Sequence, residues 1–304
     1  MSLAAVKTRT GGLIRFIVVF FSLLSLTVAQ NRIIGGDETT INDYPYQLSL
    51  EGGKRHVCGG SILTRDWALT AAHCVNNEPE KWMSFRAGST KRGEGGTLHP
   101  VKHYIVHEKY SGRKTLDYDI AVVSVKVPFD FKTGIMPVTL PITVPRADEY
   151  LRVAGWGYLE PQRLRRPKIL MATTLKVIDW YECKKIYPAV TARMMCAGEH
   201  KKDICLGDSG GALVRGAREQ VGIVSWGYKC GSVHPSFYTD ISSVLPWIRE
   251  KTGLGLGLVE EDVIAFPEDA TAFPEDAIAF PEDTDTNTWD TRKRLYFKRK
   301  LCSV

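Results

Sequence analysis

No apolar run in this chain reaches the length that a membrane-spanning helix requires. The uncharged stretch Phe16–Ala29 has 14 residues, against about 20 for a helix that crosses the hydrocarbon core. Charge of one sign is also lacking. The 40 Lys+Arg and 34 Asp+Glu leave +6 over 304 residues, too mild a surplus to argue for a nucleic-acid partner. The seven histidines fall at no spacing that suits a zinc site. With 44% hydrophobic and 24% charged residues, the composition is that of a soluble globular protein. Wholesale disorder, a collagen-like fibre and a polytopic membrane protein are excluded.

The short apolar run has its own meaning. Lys7, Arg9 and Arg15 precede it, and Ala29 closes it with Thr27 two positions earlier. That pattern predicts a secretory signal peptide over residues 1–29, cleaved near Ala29–Gln30, and an exported product without a membrane anchor. Seven cysteines, at 58, 74, 183, 196, 205, 230 and 302, fit an oxidising compartment. Six lie in the central region and can pair in 15 ways, so their connectivity stays open at this point. Cys302 is the odd one out.

Between residues 33 and 252, short β-type runs alternate with turn signals: YQLSL, WALTAAH, DIAVVSV, LRVAGWG, ALVRG, VGIVSW and SFYTDI. Many short strands with little helical periodicity predict an all-β barrel or sandwich. Ile241–Lys251 has helical spacing, and Pro246 predicts that this helix starts near Ser242 to Val244, with the proline in its first turn. From Gly253 onward the composition changes. AFPED occurs three times at a seven-residue period, starting at Ala265, Ala272 and Ala279, and a basic stretch follows from Thr291 to Lys300. Residues 253–304 are expected to be a low-complexity tail without a core of its own.

Chemistry concentrates in three segments. Asp203-Ile204-Cys205-Leu206-Gly207-Asp208-Ser209-Gly210-Gly211 places a serine between glycines, where a substrate carbonyl can approach closely and backbone N–H groups can converge on one point. Thr70-Ala71-Ala72-His73-Cys74 places a histidine among small residues, and Asp119 opens the apolar run Ile120–Val123. Taken singly, His73 reads as a core histidine and Asp119 as a strand cap. Together they supply what a serine hydroxyl needs at neutral pH: a base, and a carboxylate that orients it.

With IIGG, LTAAHC, DIAVV, GWG, GDSGG and SWG in that order, the chain resembles the chymotrypsin-like serine proteases over about residues 33–252. The resemblance implies an all-β fold of two six-stranded antiparallel β-barrels in tandem with a C-terminal helix. It implies the pairings Cys58–Cys74, Cys183–Cys196 and Cys205–Cys230, a three-bridge pattern similar to insect trypsins. It implies Ser209 as nucleophile, His73 as base and then acid, and Asp119, rather than the nearby Asp117, as its partner. The N–H groups of Gly207 and Ser209 would form the oxyanion hole. Cleavage of a three-residue propeptide, 30–32, after Arg32 would free the α-amino group of Ile33 to pair with Asp208. Asp203 would sit at the base of a specificity pocket shared with Ser225, Gly227 and Ser236, with Tyr187 behind it, and would select Arg or Lys.

Two positions depart from that pattern: Ile204 replaces a small hydroxyl residue, and Ser236 replaces a glycine on the pocket wall. The first removes a polar partner for the bound cation. The second narrows the pocket. They push the Arg/Lys balance in opposite directions. The family's calcium loop here reads Ser89–Gly96 with one carboxylate, Glu94, too few oxygen ligands for calcium, so neither metal nor cofactor is expected. The partners implied are peptide or protein substrates, an activating trypsin-like protease and protein protease inhibitors. No nucleic acid or membrane is expected, and the protein is expected to be a monomer. The alternative is a weakly active or non-catalytic homologue that serves as a binding or regulatory module.

Overall fold

The computed structural model describes residues 36–159, 166–199, 202–228, 230 and 234–255. The predicted signal peptide, Arg32, Ile33, the AFPED repeats and Cys302 lie outside those residues. The strands are β1 (Asp37–Glu38), β2 (Gln47–Gly52), β3 (Arg55–Ile62), β4 (Trp67–Thr70), β5 (Met83–Ala87), β6 (Thr97–Val106), β7 (Ala121–Val125), β8 (Tyr150–Gly155), β9 (Met171–Ile178), β10 (Met194–Gly198), β11 (Ala212–Arg215), β12 (Glu219–Trp226) and β13 (Ser236–Asp240). The α-helices are α1 (Ala72–Val75), α2 (Trp180–Ile186) and α3 (Ile241–Thr252).

Strands β2 to β7 close an antiparallel barrel in the order β2-β3-β4-β7-β6-β5. Strands β8 to β13 form a second, in the order β8-β9-β10-β13-β12-β11, closed where β11 pairs with β8. The two-residue β1 pairs with β9 in addition. The expected pair of six-stranded barrels is present. The residue pattern accounts for the inward faces: in β9, Met171, Thr173, Leu175 and Val177 are buried and alternate with half-buried neighbours, the period-2 signature of a strand with one face in a core. Met83, Phe85 and Ala87 do the same in β5. Phe85 is fully buried, and truncating it to Ala would cost about 3–5 kcal/mol.

Three disulfides, Cys58–Cys74, Cys183–Cys196 and Cys205–Cys230, bridge the chain. Polar contacts join the barrels. The buried Ser61 hydroxyl donates to Gln220 Oε1 at 2.7 Å. Asp117, in the loop before β7, accepts from Thr191 and Arg193, just before β10. Among the described residues no helix is long and apolar enough to cross a membrane.

The C-terminal helix corrects one expectation. It starts at Ile241, and Pro246 is its sixth residue rather than part of the first turn. Asp240 sets the start: its carboxylate accepts from the backbone N–H of Ser242 at 2.9 Å and from the Ser242 hydroxyl at 2.7 Å. This cap fixes the first turn, and the proline leaves one helical carbonyl without its usual donor.

Candidate active site

His73 is the second residue of α1, the single turn that follows β4, and the Cys58–Cys74 bridge ties that turn to β3. Its backbone N–H donates to Asp119 Oδ1 at 2.9 Å, and its Nδ1 lies 2.7 Å from Asp119 Oδ2. A carboxylate accepts, so Nδ1 carries a proton, and in the neutral ring this leaves the Nε2 lone pair free to act as a base. Asp119 is fully buried. The chain reaches it through a tight turn in which Leu116 (φ 55°) and Tyr118 (φ 56°) are both left-handed, a conformation that costs non-glycine residues about 1–3 kcal/mol each.

The second barrel grips the same carboxylate. Ser225 Oγ donates to Asp119 Oδ2 at 2.6 Å, and Thr239 Oγ1 donates to the Asp119 carbonyl at 2.8 Å. From the sequence, Ser225 is expected at the specificity pocket. The structure aims its hydroxyl at Asp119, which makes it a positioning residue for the His73–Asp119 pair. No motif flagged Thr239; its spacing from Asp119 in sequence carries no signal.

The Ser209 turn packs against this assembly. Gly59 N–H donates to the Ser209 carbonyl at 2.7 Å, and Gly210 N–H donates to the Val224 carbonyl at 2.8 Å, next to Ser225. Gly210 has φ 82°, and a Cβ there would overlap Thr70 Oγ1 and lie 2.6 Å from the Gly59 carbonyl oxygen. Only glycine suits both the angle and the space. The residue after the serine is thereby pressed against Thr70–Ala71, two residues before His73. The Ser209 turn from the second barrel thus packs beside the segment that carries the His73–Asp119 pair, with Ser209 only 6% exposed.

Gly207, two residues before Ser209, has φ 99°. Its carbonyl accepts from His56 Nε2 at 2.8 Å, and His56 Nδ1 accepts from the Ser49 hydroxyl at 2.8 Å. Burial is the main cause that pushes the His56 pKa down to about 3, so the ring stays neutral and fills both roles. His56 holds the Gly207–Ser209 loop, whose N–H groups are expected from the sequence to form the oxyanion hole. Sequence reasoning missed it; the signal was its place two residues before Cys58.

Asp208 is buried. Its Oδ1 accepts from Gly157 N–H at 2.8 Å and its Oδ2 from Cys205 N–H at 2.9 Å. Burial raises its pKa to about 6 against the opposing pull of those two bonds. Arg32 and Ile33, assigned to activation from the sequence, lie outside the described residues.

In the pocket region, Asp203 is buried, and its Oδ1 accepts from Ile204 N–H at 2.8 Å and from Ser236 Oγ at 2.5 Å. The Ser236 hydroxyl lies 3.4 Å from where a Cβ on Gly227 would stand. The side chain that replaces a wall glycine therefore reaches both the opposite wall and the carboxylate. The Ile204 side chain joins the second-barrel core with Val153, Val224 and Tyr238. Tyr187 hydrogen-bonds His234 Nδ1 at 2.7 Å and packs edge-on to Phe237, which stacks on Trp226.

Two metal possibilities fail on chemistry. Cys58, His73 and Cys74 bring ligand atoms within 4.8 Å of one another, but the sulfurs are bonded to each other and His73 Nδ1 serves Asp119. Beside the Ser89–Gly96 loop stands the Arg86 guanidinium, which donates to Glu51 at 2.7 Å and to the Gly95 carbonyl at 2.6 Å. A cation already holds those oxygens, and calcium would not fit.

Comparison with known proteins places these features. Residues 33–248 match the family model described as Trypsin. The chain is 40% identical over 223 residues to "Trypsin epsilon" of Drosophila erecta, covering 72% of this chain and 86% of that relative. It is 38% identical over 235 residues to "Trypsin 5G1" of Aedes aegypti, covering 74% and 87%. Among solved structures, the scabies mite inactivated protease paralogue S-D1 superposes with a TM-score of 0.68 at 26% identity, covering 73% of this chain and 97% of that one. On fold, site and sequence together, the chain belongs to the trypsin family of serine proteases.

Proposed function

We propose that this protein is a secreted endopeptidase, made as a zymogen, that hydrolyses peptide bonds after Arg or Lys through an acyl-enzyme. The observation that carries this reading is the convergence of three donors on Asp119, with the Ser209 turn packed against the His73 segment. Ser209 Oγ attacks the scissile carbonyl carbon while its proton passes to His73 Nε2. The carbonyl oxygen, now negative, is held by the N–H groups of Gly207 and Ser209. The C–N bond breaks as His73 returns the proton to the leaving amine. Water then repeats the sequence on the ester, and Ser209 recovers its proton. A long cationic side chain at P1 would run between Gly227 and Ser236 towards Asp203. Cleavage after Arg32 would give Ile33 an ammonium suited to the buried Asp208 carboxylate. The predicted signal peptide and the three disulfides support export. Peptide or protein substrates, an activating trypsin-like protease and protein inhibitors are the partners of this reading, and the protein acts as a monomer.

The Ser236 hydroxyl on Asp203 favours a second reading, a homologue with weak or no turnover. A fluorogenic P1 panel on protein cleaved after Arg32 separates the two. Hydrolysis after Arg or Lys is expected, with a loss on the order of 10⁶ in kcat for Ser209→Ala. Wild type that matches Ser209→Ala on every peptide would establish the second reading.

A further inference from the structure

Asp117 lies two residues before Asp119, and the catalytic steps leave it unused. It sits between Leu116 (φ 55°) and Tyr118 (φ 56°), the two left-handed residues of the turn that delivers Asp119. Such backbone persists only where its surroundings over-determine it. Asp117 is part of that restraint. Its Oδ1 accepts from the Tyr118 N–H at 3.1 Å, which closes the turn on itself. The same carboxylate reaches across to the second barrel. Arg193 donates its Nε–H to Oδ1 at 3.2 Å and an Nη2–H to Oδ2 at 2.5 Å, and Thr191 Oγ1 donates to Oδ1 at 2.7 Å. A two-pronged guanidinium–carboxylate pair fixes orientation as well as distance. Burial acts to raise the Asp117 pKa, but the bonds from Arg193 and Thr191 outweigh it, and the carboxyl stays below its ordinary value. The pair is therefore charged at neutral pH.

The far end of the pair is held as well. Arg193 stands just before β10, and its carbonyl accepts from the Asp240 N–H at 2.9 Å. Asp240 follows Thr239, whose Oγ1 donates to the Asp119 carbonyl at 2.8 Å. The contacts form a closed ring: Asp117 to Arg193, Arg193 to Asp240, Thr239 to Asp119, and back along the chain to Asp117. The Thr191 carbonyl accepts from Trp180 Nε1 at 3.1 Å and from the Met194 N–H at 3.1 Å, which pins the segment that carries both donors. The Arg193 guanidinium also lies 4.9 Å from the Tyr118 ring centre, and the His107 ring packs on Tyr118 with 4.4 Å between centres. A shift of the turn would strain the pair, the ring contacts and the Thr239 bond together.

We propose that Asp117 and Arg193 are positioning residues for hydrolysis: their ion pair locks the turn that aims the Asp119 carboxylate at His73. The inference rests on the proteolytic reading above. Without the pair, Asp119 keeps its bonds to His73, Ser225 and Thr239, so the carboxylate tilts rather than leaves. A small misplacement of an orienting group lowers turnover more than it lowers binding.

The test uses the full chain after cleavage at Arg32, with a short arginyl amide as substrate. Asp117→Asn and Arg193→Gln should each lower kcat about tenfold and leave KM within about twofold. The double variant should lose little more than either single one, because the two side chains act as one unit. Arg193→Lys keeps the charge without the fork and should recover at least about half of the loss on a logarithmic scale. A role in stability alone would lower the urea midpoint and leave the kcat of the folded protein unchanged. A second readout needs no turnover. In the Ser209→Ala protein, the His73 Nδ1 proton on its short bond to Asp119 should give a proton NMR resonance far downfield of the amides. Arg193→Gln should move or broaden that resonance, and Arg193→Lys should restore it. Wild-type kcat in both single variants, an unmoved resonance in Arg193→Gln, or additive losses in the double variant overturns the proposal. A wild type that hydrolyses no peptide defeats the proteolytic reading by itself, and the resonance still decides whether the pair positions Asp119.

Discussion

Replacing Asp208 with Asn tests whether the chain before cleavage holds a buried acid that prefers to be protonated. The carboxyl titrates near 3.8 when unfolded and at about 6 in the fold, chiefly through burial. A folded-state pKa above the unfolded one gives a stability contribution that is fully present below pH 4 and is lost as pH rises through 6. The difference of about 2 units corresponds to about 3 kcal/mol. His56 acts with the opposite sign. Its pKa is held down to about 3, so its contribution is present at neutral pH and lost as pH falls below the unfolded value of 6.5. The total pH profile mixes the two, and only a comparison isolates Asp208. Urea unfolding of the uncleaved Ser209→Ala protein, with and without Asp208→Asn, followed by tryptophan fluorescence between pH 4 and 7, supplies it. The stability of the protein that keeps Asp208, relative to its Asp208→Asn counterpart, should fall by about 3 kcal/mol across that range. After cleavage at Arg32, pairing with the Ile33 ammonium should pull the Asp208 pKa down and reverse the slope. A relative stability flat to within about 1 kcal/mol before cleavage would refute the reasoning.

Other outcomes follow from single contacts. Ser236→Gly removes the hydroxyl from Asp203 and should raise kcat/KM on P1 Arg more than on P1 Lys, by about threefold, because the bulkier fork gains most from the space; a larger gain for Lys would count against that geometry. Ser225→Ala deletes one donor to Asp119 and should lower kcat about tenfold with little change in KM, as read by steady-state kinetics. Asp203→Ser should shift P1 preference towards uncharged residues, and a variant that still prefers Arg would move the cation site elsewhere. His56→Phe leaves the Gly207 carbonyl without its donor and should reduce kcat by about tenfold while P1 ranking is kept; a changed ranking with unaltered kcat would contradict a role at the oxyanion loop.

Much of this was legible in the sequence, for reasons that differ by element. The runs around β2, β4, β7, β8, β11, β12 and β13 stand out because their apolar residues are consecutive or alternate cleanly. Strand β3 hides behind Gly59 and Gly60, β6 behind Pro100 and its charges, and β10 is too short to show a period. The candidate residues Ser209, His73 and Asp119 stood out because each sits in a compact motif, and the His73–Asp119 contact is present in the structure. Ser225 belonged to such a motif, but its side-chain partner did not follow from it, since Asp119 lies 106 residues away. His56 and Thr239 act through long-range contacts that no local pattern encodes. The start of α3 depended on the Asp240 cap, which outweighed the proline that the spacing emphasised.

The division of the candidate triad between two barrels has a mechanical consequence. His73 and Asp119 ride on the first barrel and Ser209 on the second, so the catalytic distances are a measure of how the two bodies are seated. The hydroxyl contacts of Ser225 and Thr239 on Asp119 act as dowels across that seam. A slip of about one ångström along it leaves both barrels folded and the chemistry misaligned. A chain of this design would fall silent before it falls apart, and any activity it has would be a finer gauge of inter-barrel alignment than a signal from the barrels themselves.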